Sequence, residues 1–248
     1  MTAPLVVGHR GGRGEGWPPE NTIEAFDRAR MAGARAIELD VRTCASREAI
    51  VFHDETLARM TRSRDTRRVH EVSAADLRTV DLGRGIHVPT LVDVLSWARE
   101  TGMAVNIELK YDRARRTEVA RATVRSLRAC AGVDLLLSSF DPLLLATAAA
   151  LAPSVPRALL THAGQTFVAG VVQETMRPPL VRAMHLQARQ ASATTIARLV
   201  RRGLRVGVWT VNDVGRATEL IREGASTIIT DAPDVLLASL SHSTQPLE

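Results

Sequence analysis

Five times along the chain the same local order recurs: a helical stretch, a glycine, a short gap, then a run of β-forming apolar residues. The instances are MAG-ARAIEL at Gly33, ETG-MAVNIEL at Gly102, CAG-VDLLLS at Gly132, RRG-LRVGVW at Gly203 and REG-ASTIIT at Gly224. Glycine just past a helix takes the left-handed conformation that ends it, so each instance predicts a helix-to-strand turn. Buried strands alternating with helices require a parallel sheet with helices outside it.

Strands are predicted at Leu5–His9, Ala36–Val41, Val105–Leu109, Asp134–Ser138, Arg157–Thr161, Val181–Leu186, Arg205–Trp209 and Thr227–Thr230. One helix is expected to open near Asn21, where Glu24 three residues on resembles a capping box. Leu91, Val94, Leu95 and Ala98 form an apolar helical stripe, and Ile196, Leu199 and Val200 form another. Eight β/α units in 248 residues is the size of a (β/α)8 TIM barrel, with an open doubly wound sheet as the alternative. Between the second and third strands the rhythm breaks. Ala49–Phe52 reads as an extra strand and Thr61–Val69 as a basic, exposed segment. Roughly residues 44–88 are therefore an insertion, with too few apolar residues for a core of its own, within a single barrel domain spanning 1–248. A helix is expected in Ala163–Pro179.

Glu38 and Asp40 stand two apart on the second strand, so they face one way while Ile37, Leu39 and Val41 face the other. Burying two like charges is costly unless something compensates them, whether arginines or a metal. In a barrel the active site lies at the carboxyl ends of the strands. Those ends carry His9 and Arg10, Glu38 and Asp40, Glu108 and Lys110, Ser138 and Ser139, His185 and Gln187, Trp209, and Asp231. Glu108 repeats the spacing with Lys110 and would stand beside the first two acids. Three carboxylates suit Mg²⁺ or Ca²⁺ better than zinc, which prefers nitrogen and sulfur. His53-Asp54 ends the extra strand and can fold back over the same rim. His9 and His53 beside a metal suit acid and base work, since imidazole titrates near neutrality. His70, His87, His162 and His242 are read as surface residues.

A formal charge of +5 would favour an acidic partner. The arginines are spread throughout and aromatics make up only 3%, which argues against a nucleic-acid binder needing a basic block and stacking platforms. Among 32 Lys and Arg residues there is one lysine, Lys110. A compact ammonium at that position fits a site too narrow for a guanidinium fork, although one survivor in a biased composition needs no function. Cys44 and Cys130 have no ligand-like spacing, the amino terminus has no signal-peptide pattern and no run is long enough to span a membrane. The expectation is a soluble, cytoplasmic protein.

His9-Arg10-Gly11, Pro19-Glu20-Asn21-Thr22, Ile37-Glu38-Leu39-Asp40-Val41, His53-Asp54, Pro89-Thr90-Leu91, Asn106-Ile107-Glu108-Leu109-Lys110, Ser139-Phe140, Trp209-Thr210-Val211-Asn212 and Ile229-Thr230-Asp231 follow one another along the chain. Together they resemble the glycerophosphodiester phosphodiesterases, in order and across nearly the whole length. The resemblance implies a TIM barrel in which Glu38, Asp40 and Glu108 hold one divalent cation, Mg²⁺ or Ca²⁺. It implies His9 and His53 as acid and base, and Arg10 and Lys110 as the phosphate holders. The substrate would be a small glycerophosphodiester, attacked at phosphorus by its own glycerol hydroxyl to give a cyclic phosphate that water opens. Glycerol 3-phosphate and an alcohol would be the products.

Phe140 and Trp209 are placed either against the substrate or in the core. Pro19 to Thr22 is expected to stiffen the loop after His9, and Asp231, ahead of Ala232-Pro233, to cap the last helix. A phospholipase D-like enzyme acting on lysophospholipids, releasing a cyclic phosphate, is the alternative use of the same residues. Two departures from the family pattern stand out. The loop Gly11–Pro18 is about two residues longer than usual and contains Trp17, and Cys44-Ala-Ser-Arg-Glu48 replaces an Asp-Gly turn. The motifs leave open the alcohol, the choice of ion, the oligomeric state and which histidine acts first.

Overall fold

The computed structural model describes residues 5–111, 116–164, 175 and 178–242. In chain order its strands are β1 (Leu5–His9), β2 (Ala36–Thr43), β3 (Ala49–Val51), β4 (Asp81–Gly83), β5 (Ile86–His87), β6 (Ala104–Leu109), β7 (Leu135–Ser139), β8 (Arg157–Thr161), β9 (Ala183–Gln187), β10 (Arg205–Trp209) and β11 (Thr227–Thr230). β1 pairs in parallel with β2 on one side and β11 on the other. The order β1-β2-β6-β7-β8-β9-β10-β11 therefore returns on itself, closing an eight-stranded TIM barrel and excluding the open sheet.

Strand alternation sorts the side chains. Ile37, Leu39 and Val41 of β2, with Val105, Ile107 and Leu109 of β6, point outward into a core shared with Phe26, Leu91, Leu95 and Val119 of the surrounding helices. Glu38, Asp40, Asn106 and Glu108, the residues between them, turn inward. Around the other half of the barrel Met184, Leu186, Val206, Val208 and Ile228 pack against Ile196, Leu199 and Leu220. No described helix is long and apolar enough to cross a membrane.

Helix α1 (Ile23–Met31) is capped by Thr22, whose hydroxyl accepts from Ala25 N, and not by Asn21. Asn21 takes a left-handed φ of 61°, which frees its side chain for the barrel interior. At Gly8 the chain passes so close to the following loop that an added Cβ would lie 2.2 Å from Gly11 O and 3.2 Å from Ala29 Cβ. Only glycine leaves β1 room to carry His9 to the rim.

The insertion departs from expectation. It has a buried cluster of its own, including Cys44, Ile50, Phe52, Leu57, Val69, Val72, Leu77, Val80, Leu82 and Val88. Apart from Ile50 and Phe52 of the extra strand, these residues come singly among polar ones, so no linear window reveals the cluster; turns, a short helix α2 (Ala74–Leu77) and the β4–β5 hairpin bring them together. Within the segment Thr61–Val69 expected to be exposed, Arg62, Ser63, Arg64, Arg67 and Arg68 are exposed, but Thr61 and Val69 at its ends are buried. The helix expected in 163–179 lies largely outside the described residues.

Candidate functional site

Register assembles the acidic cluster. Asp40 pairs with Glu108 across β2 and β6, and Glu38 pairs with His9 across β1 and β2. One carboxylate oxygen each from Glu38, Asp40 and Glu108 can be chosen so that all three lie within 4.8 Å of one another. All three residues are buried. Lys110 Nζ lies 2.6 Å from Glu108 Oε1 and 3.3 Å from Asp40 Oδ1. Arg10 sits at a left-handed φ of 52°, donates its backbone N–H to Glu38 Oε2 and brings Nε to 3.0 Å from Asp40 Oδ2. Asn21 completes the brace, donating Nδ2 to Asp40 Oδ2 at 2.8 Å while its Oδ1 accepts from Asp40 N.

Burial raises Glu38 well above the usual carboxylate range, and neighbouring Asp40 and Glu108 push the same way. Glu108 is also raised by burial, with Lys110 opposing. Burial acts on Asp40 too, but Lys110, Arg10 and His53 prevail and hold it below its ordinary range. The cluster is an oxygen-only site whose three carboxylates, once all ionised, outnumber the two cations Arg10 and Lys110, and Asp40 Oδ1 accepts no hydrogen bond. These groups fit a hard divalent cation.

The two expected histidines reach this cluster by different routes. His9 ends β1, with Nε2 3.9 Å from Glu38 Oε2. His53 follows β3, which runs back antiparallel to β2, and Phe52 N donating to Asp40 O returns it to the level of the acids. Each ring is tied by Nδ1 to an aspartate: His9 to Asp231 Oδ1 at 2.7 Å, His53 to Asp54 Oδ1 at 2.6 Å. With Nδ1–H donating to a carboxylate, Nε2 is left for chemistry. Burial lowers the His53 pKa, and Lys110 and Arg10 add to that against the pull of Asp40.

Asp231 does not cap the last helix. Because β11 lies beside β1, its end stands next to His9, and Arg13 Nε and Nη2 hold the carboxylate with two bonds of 2.9 Å. Burial opposes ionisation of Asp231, but the bonds from His9 and Arg13 hold its pKa well below the ordinary range. Asp54 is lowered likewise by its bonds from Arg59 and His53 against burial. A group with a lowered folded pKa contributes stability that is complete above the unfolded pKa and lost as pH falls through the folded one. The urea midpoint is therefore expected to fall with pH below about 4, and Asp231→Asn to flatten that acid limb; an unchanged limb in the variant would contradict the assignment.

The far wall is aromatic. Phe140 lies 5.5 Å from Trp209 and 5.6 Å from His162, ring centre to ring centre. His162 is thus a neighbour of the site and not simply a surface residue. Trp209 Nε1 donates to His185 O, which fixes the indole. His9, His53, Glu38, Glu108, Lys110, Phe140 and Trp209 line one cavity of about 150 Å³. An open groove of about 440 Å³ adjoins it over Lys110, Tyr111, Arg116 and Phe140. His185 is not on the rim: it is buried deeper in the barrel, where burial and then Arg205 push its pKa down to about 4. Gly207 opposite leaves space for the ring, since a Cβ there would come within 2.6 Å of it. Arg13, Arg59 and the braces from Glu20 and Asn21 were not foreseen as site contacts; nothing in their spacing sets those two arginines apart from the rest.

A profile of the Glycerophosphoryl diester phosphodiesterase family matches residues 9–235. The Bacillus subtilis protein YqiK, itself uncharacterised, is 30% identical over 96% of this chain and 98% of its own. A glycerophosphodiester phosphodiesterase of Caldanaerobacter subterraneus subsp. tengcongensis is 27% identical over 94% of this chain and 96% of its own. Among solved structures, an Oleispira antarctica phosphodiesterase in complex with the product sn-glycerol-3-phosphate superposes with a TM-score of 0.85 at 25% identity, covering 96% of this chain and 97% of that one.

Proposed function

This chain belongs to the glycerophosphoryl diester phosphodiesterase family, and we propose that it hydrolyses glycerophosphodiesters to glycerol 3-phosphate and an alcohol, using His9 and His53 as acid and base. The observation that carries the reading is one cavity shared by two imidazoles, each anchored through Nδ1 to a carboxylate, and a buried oxygen cluster. Glu38, Asp40 and Glu108 would hold Mg²⁺ or Ca²⁺, which when bound supplies positive charge to the phosphoryl oxygens. Arg10 and Lys110 turn further positive charge toward the same place. One imidazole takes the proton of the glycerol hydroxyl beside the ester as that oxygen attacks phosphorus. The other protonates the departing alcohol oxygen. Water then opens the cyclic phosphate with the roles reversed. Trp209 and Phe140 pack against the apolar edge of the glycerol or alcohol. Product-bound sn-glycerol-3-phosphate in the Oleispira antarctica enzyme supports a small-molecule substrate. Cys44 and Cys130 are buried thiols with no disulfide, which suits a reducing cytoplasm.

Phosphorus NMR on glycerophosphocholine and glycerophosphoethanolamine with Mg²⁺ or Ca²⁺ tests this, and glycerol 3-phosphate should accumulate. Diesters that stay intact with every divalent ion would end the proposal. Cyclic phosphate persisting from lysophospholipids would favour the phospholipase D-like reading. Trp209→Ala is expected to raise KM about tenfold, the loss of about 1.4 kcal/mol of binding, with kcat changed less; an unchanged KM would remove Trp209 from the substrate wall.

A further inference from the structure

Glu20 is buried yet carries no helix cap and touches neither the acidic cluster nor a histidine. Its Oε1 accepts from Arg10 Nη1 at 2.8 Å and from Arg59 Nη2 at 2.7 Å, and its Oε2 accepts from Arg13 Nη1 at 3.4 Å. Two of these arginines lead on to the histidines. Arg13 grips Asp231 with two bonds, and Asp231 accepts from His9. Arg59 grips Asp54 through Nε at 2.6 Å and Nη2 at 3.2 Å, and Asp54 accepts from His53. Glutamate, arginine, aspartate and histidine thus follow in the same order along two arms, although residues 9 and 231 meet only through barrel closure and 53, 54 and 59 belong to the insertion.

The arginine side chains are 37% and 49% exposed, whereas Glu20 is 6% exposed. Water competes with the arms at their middles and not at their common end. If Glu20 served only to stiffen the loop after His9, Arg10 alone would satisfy it, and Arg59 would have no reason to cross from the insertion.

We propose that Glu20 is a positioning residue for both histidines at once, holding Arg13 and Arg59 so that Asp231 and Asp54 fix the two imidazoles with Nδ1 outward and Nε2 toward the cavity. This rests on the two-histidine reading above. Glu20 touches no substrate in this arrangement; it acts through four other side chains. Loss of its charge leaves three guanidinium groups facing one another, and both arms loosen together.

The test is nitrogen-15 NMR of histidine-labelled protein at one mildly alkaline pH, with and without Mg²⁺, alongside kcat and KM on glycerophosphocholine. In the wild type both rings should show the neutral tautomer protonated at Nδ1. Glu20→Gln should move both rings toward mixed tautomers and lower kcat by about 10–100-fold, the usual scale for an outer hydrogen-bond partner, while KM changes less. Arg13→Gln should disturb His9 alone, and Arg59→Gln His53 alone. The double arginine variant should reproduce Glu20→Gln, and because both side chains are partly exposed it decides the matter even if Glu20→Gln does not fold. Both rings unchanged in Glu20→Gln, only one ring disturbed, or a loss confined to KM would each overturn the proposal. If the wild type cleaves no glycerophosphodiester, the proposed function falls while the tautomer spectra still judge the positioning.

Discussion

Replacing His53 by alanine is expected to lower kcat by about 10²–10⁴-fold, the range for removing a general acid or base, with the protein still folded. The ring is 31% exposed and sits beyond β3, so its removal opens little core. The backbone bond from Phe52 N to Asp40 O that brings this segment to the rim does not involve the side chain. His9→Ala should lose a similar factor by the same reasoning. The two variants become distinguishable on a diester with an acidic leaving group such as p-nitrophenol, which departs without protonation. Whichever variant regains most of its rate on that substrate has lost the acid of the first step, and the other has lost the base. Near-normal turnover of either alanine variant on glycerophosphocholine would exclude that residue from proton transfer.

Removal of divalent ions should reduce turnover to background and also weaken the fold. Glu38 and Glu108 have raised folded pKa values, so the metal-free folded state binds more protons than the unfolded chain. Its stability therefore falls as pH rises from the ordinary carboxylate range through the raised values. A cation that prefers the ionised cluster reverses this, adding about 2.7 kcal/mol at a hundred times its dissociation constant. Melting curves at neutral pH should show the protein clearly more stable in Mg²⁺ or Ca²⁺ than in chelator. Glu38→Gln should invert the pattern: more stable than wild type in chelator, indifferent to added ion and inactive. A wild type whose melting ignores every divalent ion would remove the metal from the site.

The parts of this site legible in the sequence are those governed by short periods. Glu38 and Asp40, or Glu108 and Lys110, share a face because a strand repeats every two residues, and the glycine after each helix marks where the next strand begins. What escaped depends on depth and on distant contacts. His185 and Trp209 both belong to strand-end motifs, but His185 pairs with Gly207, two residues below the Trp209 level, and faces the buried interior instead of the rim. Asn21 reads as a helix cap until the left-handed turn at that residue passes the cap to Thr22 and sends the amide to Asp40. Asp231 reads as a cap as well, because its contact with His9 spans 222 residues. The insertion's apolar cluster was hidden for the same reason, since its members are neighbours only after folding.

Pairing of β1 with β11 has a consequence for how such a protein comes into being. During synthesis the strand that carries His9 emerges first and the strand that precedes Asp231 emerges last. Until then one flank of β1 has no partner strand, and His9 lacks the carboxylate that orients it. A chain still leaving the ribosome can hold all three acids and both imidazoles while the His9–Asp231 contact is still missing. If His9 acts as proposed, its orienting contact with Asp231 forms only when β1 and β11 pair, so a newly made molecule would complete its site together with the closing seam of its barrel.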